Sequence, residues 1–178
     1  MRIRYKYYLL LTLLLTIGFS QINAQNTVDT RLMKSPAISK NKIAFIYAED
    51  LWIADKNGAN SRRLTIDEGV ESNPVFSPDG SSIAFSAEYD GNTDVFIVPA
   101  NGGVPKRLTW HPGWDQVRDF TPDGKSVLFI SGRSTYTNRH AKLYTIATEG
   151  GQAIELPIPT AFSASYSADG KYIAFVRR

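Results

Sequence analysis

Across 178 residues, the side chains able to make or break bonds are few: two histidines, no cysteine, and serines without a recognisable activating base. His111 and His140 fall in loop stretches with no carboxylate at a motif-like spacing. The chain has no Gly-x-Ser-x-Gly elbow, His-Glu-x-x-His pair, phosphate-cradling loop or dinucleotide fingerprint. Absence of cysteine excludes disulfides, a thiol nucleophile and thiolate metal sites. No catalytic residue, cofactor or metal ligand is therefore expected in this chain. Asp90-Gly91-Asn92-Thr93-Asp94 places oxygen ligands at alternate positions, as calcium loops do. Its sixth position is Val95 rather than Gly and its twelfth is Asn101 rather than Glu, so a polar hairpin connection fits it better.

What remains is contact chemistry. Trp110-His111-Pro112-Gly113-Trp114-Asp115 concentrates two tryptophans and a histidine in one loop. Trp and Tyr dominate interface energetics, which points to a surface that grips an extended peptide or a partner domain. The plainer reading is that one of the two rings fills a boundary between structural units, the commoner fate of an aromatic. Trp110, His111 and Trp114, with Arg118 and Arg133 downstream, are the candidate contacts.

The elements that must position these residues repeat along the chain. Val75-Phe76-Ser77-Pro78-Asp79-Gly80 is followed by Ile83-Ala84-Phe85, Asp94-Val95-Phe96-Ile97-Val98, Gly102-Gly103 and Arg107-Leu108-Thr109. A second copy runs through Phe120-Thr121-Pro122-Asp123-Gly124, Val127-Leu128-Phe129-Ile130, Leu143-Tyr144-Thr145-Ile146 and Gly150-Gly151. A third begins at Tyr166-Ser167-Ala168-Asp169-Gly170, and an earlier copy at Ile43-Ala44-Phe45-Ile46 lacks the Pro-Asp-Gly turn. Pro presets φ, Asp bonds nearby amides and Gly accepts a left-handed conformation, so each such tetrapeptide closes a hairpin. Phe45, Phe85, Phe129 and Phe175 recur at spacings of 40, 44 and 46 residues. Four short strands per ~40–50 residues is the signature of a β-propeller blade.

The fold class expected is all-β: a β-propeller with about three and a half four-stranded blades, the start of a ring that closes with ~4–8 blades. The blades span about 35–72, 73–116, 117–162 and, incomplete, 163–178, after a linker at 25–34. Strands are expected at 36–39, 42–48, 50–55 and 61–65; at 74–77, 82–87, 93–98 and 104–109; and at 117–121, 126–131, 141–147 and 152–156. Successive sheets should pack through the four phenylalanines. Tight turns should emerge on one side of the ring. The varied loops 66–72 (with Asp67, Glu68 and Glu71), 88–92, 110–116 and 132–140 (with Arg133, Tyr136, Arg139 and His140) should emerge on the other, the side expected to bind.

Residues 1–24 read as an export signal: Arg2, Arg4 and Lys6 precede an apolar run from Leu9 to Phe19, and Ala24 offers a cleavage site before Gln25. The run is short for a stable membrane span of ~20 residues, although an uncleaved anchor is the competing reading. The whole chain carries 20 basic and 17 acidic residues. Three of the basic ones lie in the signal, so the remainder is balanced and gives no support for nucleic-acid binding.

Pro36-Ala37-Ile38-Ser39, Asp50-Leu51-Trp52, Arg62-Arg63-Leu64-Thr65, the Ser77-Pro78-Asp79-Gly80 repeats, Gly91-Asn92-Thr93-Asp94 and Leu156-Pro157-Ile158-Pro159 resemble the start of the tricorn protease family. The resemblance runs from about Leu32 to Arg178. It implies an N-terminal six-bladed propeller followed by a second propeller, a PDZ-like module and a serine-protease domain. It also implies oligopeptides as substrates, a homo-oligomer, and propeller channels that filter peptides. The family's catalytic residues lie far downstream, and no position here matches them. The archetypal tricorn is cytoplasmic, whereas the signal here implies a periplasmic or secreted protein. The alternative reading is a TolB-like periplasmic propeller that acts as a non-catalytic binding platform, since the Ser-Pro-Asp-Gly repeat is shared.

The mature protein, recovered from outside the cytoplasm, is expected to begin at Gln25. Intact mass or N-terminal sequencing checks this, and a chain retaining Met1 would assign residues 1–24 to an anchor.

Overall fold

Each copy of the repeat closes its first hairpin with the same short-range chemistry. In the computed structural model, which describes residues 32–135 and 140–177, Ser77 Oγ donates to Asp79 Oδ1 at 2.6 Å. The same oxygen accepts the Ser81 amide at 3.0 Å, and Gly80, at φ 73°, donates its amide to the Ser77 carbonyl. Thr121 with Asp123 and Ser167 with Asp169 repeat the arrangement. The first copy lacks Pro-Asp-Gly and uses one hydroxyl: Ser39 Oγ accepts the Lys42 amide while the Ser39 amide donates to the Lys42 carbonyl.

Among the described residues the chain forms fourteen strands. The first antiparallel sheet contains β1 (Met33–Ile38), β2 (Lys42–Tyr47), β3 (Asp50–Asp55) and β4 (Arg62–Arg63), in that order. The second contains β5 (Val70–Phe76), β6 (Ser82–Glu88), β7 (Thr93–Pro99) and β8 (Lys106–Arg107). The third contains β9 (Asp115–Phe120), β10 (Ser126–Ser131), β11 (Lys142–Ala147) and β12 (Ile154–Glu155). A two-stranded sheet of β13 (Ser163–Tyr166) and β14 (Ile173–Val176) follows. Among the described residues no α-helix interrupts the strands, and the protein is an all-β propeller of stacked four-stranded blades. The signal at 1–24 and most of the linker at 25–34 lie outside the described residues, as do Tyr136 and Arg139.

The fourth strand of each blade is two residues long, shorter than the sequence suggests. In the first two blades a side chain takes over where the ladder stops. Thr65 Oγ1 accepts the Leu51 amide and Thr109 Oγ1 accepts the Val95 amide, each at 3.0 Å. A hydroxyl thus replaces a backbone carbonyl, and the chain is released to cross to the next blade.

The sheets are apolar on both faces, so each must stack on a neighbour. Between the first two blades, Ala44, Ile46, Leu51 and Ile53 meet Ile83, Phe85, Phe96 and Val98. Between the second and third, Ala84, Val95 and Leu108 meet Val127, Phe129, Tyr144 and Ile146. Leu128, Ile130 and Leu143 then meet Ala161, Ala164, Tyr166 and Ile173. A small residue on one sheet accepts an aromatic pair from the next. Phe85 stacks on Phe96 and Phe129 on Tyr144 in the same geometry, centroids 5.7 Å apart at 27°. Each fully buried side chain of this size contributes roughly 1.5–3 kcal/mol, and such ring pairs about 0.5–1.5 kcal/mol more.

The expected role of the four phenylalanines holds for two. Phe85 and Phe129 form the junctions. Phe45 lies on the face turned away from the second blade, because Ala44 and Ile46 take the junction face. Phe175 is 42% exposed: it pairs with Ala164 in the two-stranded sheet, without the aromatic partner on a third strand that Phe85 and Phe129 have.

The Ser77 hydroxyl, then the Ser81 amide, hold the Asp79 carboxyl down to about 2. Its ordinary value is near ~3.9, so its contribution is complete above that value and is lost as pH falls through about 2. Hydrogen exchange at Ser81 should therefore be faster in Asp79→Ala than in wild type at pH 6, with the difference shrinking as pH falls through about 2. A difference independent of pH would remove the carboxylate from the explanation.

Candidate functional site: the axial groove

The first strands of successive blades, β1, β5, β9 and β13, lie side by side and line the propeller axis. In the first three, one extra residue breaks register opposite the anchoring phenylalanine. Ser35 and Pro36 face Phe45, Asn73 and Pro74 face Phe85, and Arg118 is inserted beside Val117 opposite Phe129. Ser35 and Asn73 adopt φ 53° and 51°, a left-handed conformation that β-bulges use to turn a strand and re-aim its side chains. Proline then removes an amide that has no ladder partner. The bulge residues Ser35, Pro36, Asn73, Pro74 and Arg118, with Phe162–Ser163 of the fourth unit, line one groove of about 380 Å³.

Arg118 is the one charged residue of that lining. It is half-buried in mid-strand of β9 rather than on the varied-loop side. Its Nε donates to the Phe162 carbonyl at 2.9 Å, Nη1 to the Val117 carbonyl at 2.7 Å and Nη2 to the Gln116 side-chain oxygen at 3.0 Å. Burial lowers its pKa from the ordinary arginine value, yet an arginine remains charged. Neighbouring Asp119 turns elsewhere, accepting from the Phe120 amide, the Ser165 hydroxyl and the Tyr166 amide.

The other candidate contacts divide. Trp110 is 72% exposed, with the Arg107 guanidinium 4.1 Å from its ring centroid. Exposed His111 holds the loop: its Nδ1 accepts the Gly113 amide and its carbonyl accepts from Asn92. Trp114 packs on the Leu128–Ile130 cluster. A Cβ on Gly132 would come within 2.8 Å of its Nε1, so glycine is what lets the ring settle there. Arg133 pairs with the fully buried Asp115 and lies over the Phe129 and Tyr144 rings. Trp110 and His111 are therefore displayed, while Trp114 and Arg133 are built into the fold.

Two further expectations change. Glu71 is not a loop residue: it pairs with Ala87 in the β5–β6 ladder and is fully buried. Its carboxylate accepts from the Thr65 and Tyr89 hydroxyls, and burial pushes its pKa up. Asp90 and Asp94, the start of the calcium-like pattern, converge instead on Arg107, at 2.9 and 2.5 Å. Sequence reasoning also missed a groove of about 790 Å³ on the tight-turn side, between Pro78, Ile97 and Lys106 of the second blade and Phe120 and Pro122 of the third. The recurrence of Pro-Asp-Gly in adjacent blades was its available signal.

Residues 30–178 match the family described as the tricorn protease N-terminal beta propeller domain. A tricorn protease homolog of Streptomyces coelicolor is 36% identical over 56 residues, which are 31% of this chain and 5% of that protein. TolB from Acinetobacter baumannii superposes with a TM-score of 0.71 at 29% identity, covering 82% of this chain and 38% of TolB. The tricorn protease crystal structure gives 0.69 at 25% identity, over 78% of this chain and 14% of that one. The chain thus spans well under half the length of each of these relatives.

Removing Arg133 leaves Asp115 buried without its counter-charge, so Arg133→Ala should cost about 3–5 kcal/mol. Trp110→Ala, at an exposed position, should change stability by no more than about 0.5 kcal/mol. Urea denaturation of the two variants checks the contrast, and equal losses would overturn the division into displayed and built-in residues.

Proposed function

The chain belongs to the tricorn protease N-terminal β-propeller family, and from that premise we propose that it is the gating propeller of an exported, tricorn-like serine peptidase. In this reading the protein is periplasmic or secreted and acts on oligopeptides. The propeller filters what reaches or leaves a protease domain elsewhere in the full-length chain, and it supports assembly into a homo-oligomer. The observation that carries the reading is the axial groove. Successive first strands break register at one level and turn Ser35, Asn73 and Arg118 towards a shared space. Backbone irregularity held at matching positions is how strands re-aim side chains beside functional sites.

Likeness to TolB supports a second reading, a propeller that binds a partner protein and hydrolyses nothing. The two differ in what obstructing the axis does. Ser163 is exposed and lines the groove, so Ser163→Trp narrows it without disturbing a blade junction. In the full-length protein this change should slow turnover of long peptides while leaving short fluorogenic ones and the melting temperature nearly unaffected. Equal rates for both lengths would sink the gating role. Absence of any peptide turnover by the wild-type protein would favour the binding platform.

A further inference from the structure

We propose that Arg118 is a recognition residue for a carboxylate group of a peptide lying on the propeller axis. The inference rests on the gating reading and names the chemical group that the groove selects.

Three observations carry it. First, Arg118 is the exception among the half-buried arginines. Arg107 is paired with Asp90 and Asp94, and Arg133 with Asp115, whereas Arg118 has only neutral oxygens as partners among the described residues. A guanidinium withdrawn from water without a counter-charge is costly, and an anion at its open side relieves that cost. Second, its hydrogen bonds leave capacity. A guanidinium has five N–H donors. Three are spent, one on each nitrogen, so Nη1 and Nη2 each retain a donor. Third, the group is held in place before any ligand arrives, by carbonyls of its own strand and of Phe162 in the next unit. Preorganisation of that kind lowers the cost of binding. A planar fork with free donors matches a carboxylate better than a point charge does. The rest of the lining is neutral, three polar residues (Ser35, Asn73 and Ser163) among prolines and apolar side chains, and adds no second charge. The groove therefore distinguishes an acidic from a neutral ligand through one residue.

The carboxylate has two possible sources, a chain terminus or an acidic side chain. The test uses the full-length protein, its peptidase inactivated with a serine-directed fluorophosphonate. Three labelled hexapeptides are compared by fluorescence anisotropy: one of neutral side chains with a free C-terminus, the same sequence amidated, and an amidated version containing one glutamate. A charge-assisted hydrogen-bonded pair corresponds to about tenfold or more in affinity, so an acid-bearing peptide should bind that much tighter than the neutral amide. Preference for the free terminus assigns the main-chain carboxylate; preference for the glutamate peptide assigns a side chain. Arg118→Met should abolish the difference and Arg118→Lys should restore part of it, which a purely structural role would not produce. If Arg118→Met does not fold, Arg118→Lys alone should reduce the ratio without removing it. Equal binding of all three peptides by the wild type would overturn the inference while leaving the gating reading in place. So would a large loss of stability in Arg118→Lys without any ligand preference, which would assign the charge to an acidic partner elsewhere in the full-length chain. If no peptide binds and Ser163→Trp has no effect on turnover, the gating reading itself falls.

Discussion

The structure depends on one constraint: each blade is a thin sheet with apolar side chains on both faces, and it is stable only when stacked. Ile83 and Phe85 look towards the first blade while Ala84 looks towards the third, one residue apart on the same strand. Alternation of this kind admits no solvated face, so burial at one junction is tied to burial at the next. A large residue on one side and a small one on the other also sets how closely the sheets approach. The stacked pairs Phe85–Phe96 and Phe129–Tyr144 occupy the space left by Ala44 and Ala84. The tight turns and hydroxyl caps supply register and direction, but the stacking supplies most of the energy.

Much of this was legible because repetition multiplies weak signals. A single Ser-Pro-Asp-Gly is a turn, whereas its return at the same offset from an aromatic strand defines a unit. The strand centres followed from β-branched and aromatic runs. The short fourth strands did not, because Thr65 and Thr109 continue the ladder pattern in sequence while their side chains, not their backbones, make the bond. Phe45 and Phe175 were legible as repeat members but not as packing partners, since what a strand faces depends on which neighbours surround it.

The candidate site divides along the same line. Loop position foretold the display of Trp110 and His111. Burial of Trp114 and Arg133 depends on Gly132 and Asp115, which meet them through the fold. Arg118 was visible as a basic residue near a loop, but its place on the axis follows from a register break in β9 that no spacing announces. The buried carboxylate of Glu71 was hidden for the opposite reason: in sequence it stands in a polar stretch that resembles a loop. Its neighbours Thr65 and Tyr89 lie six residues before and eighteen after it, and only the stacked blades bring all three together.

Glu71, Asp115 and Ala161 stand at the same position of three successive units, each five residues before the aromatic that ends the first strand. All three are fully buried, yet their surroundings differ: the Thr65 and Tyr89 hydroxyls for Glu71, the Arg133 guanidinium with the Ser131 and Thr109 hydroxyls for Asp115, and an apolar cluster for Ala161. The position is therefore filled differently in each unit, although the blades share one architecture. Tyr89 follows β6 of the blade that holds Glu71, and Arg133 follows β10 of the blade that holds Asp115. Copying either unit whole by unequal recombination would therefore carry the carboxylate and its principal partner together. A change confined to the first strand would instead leave Tyr89 or Arg133 without its acid, so at this position the two arms of one hairpin are constrained to change together.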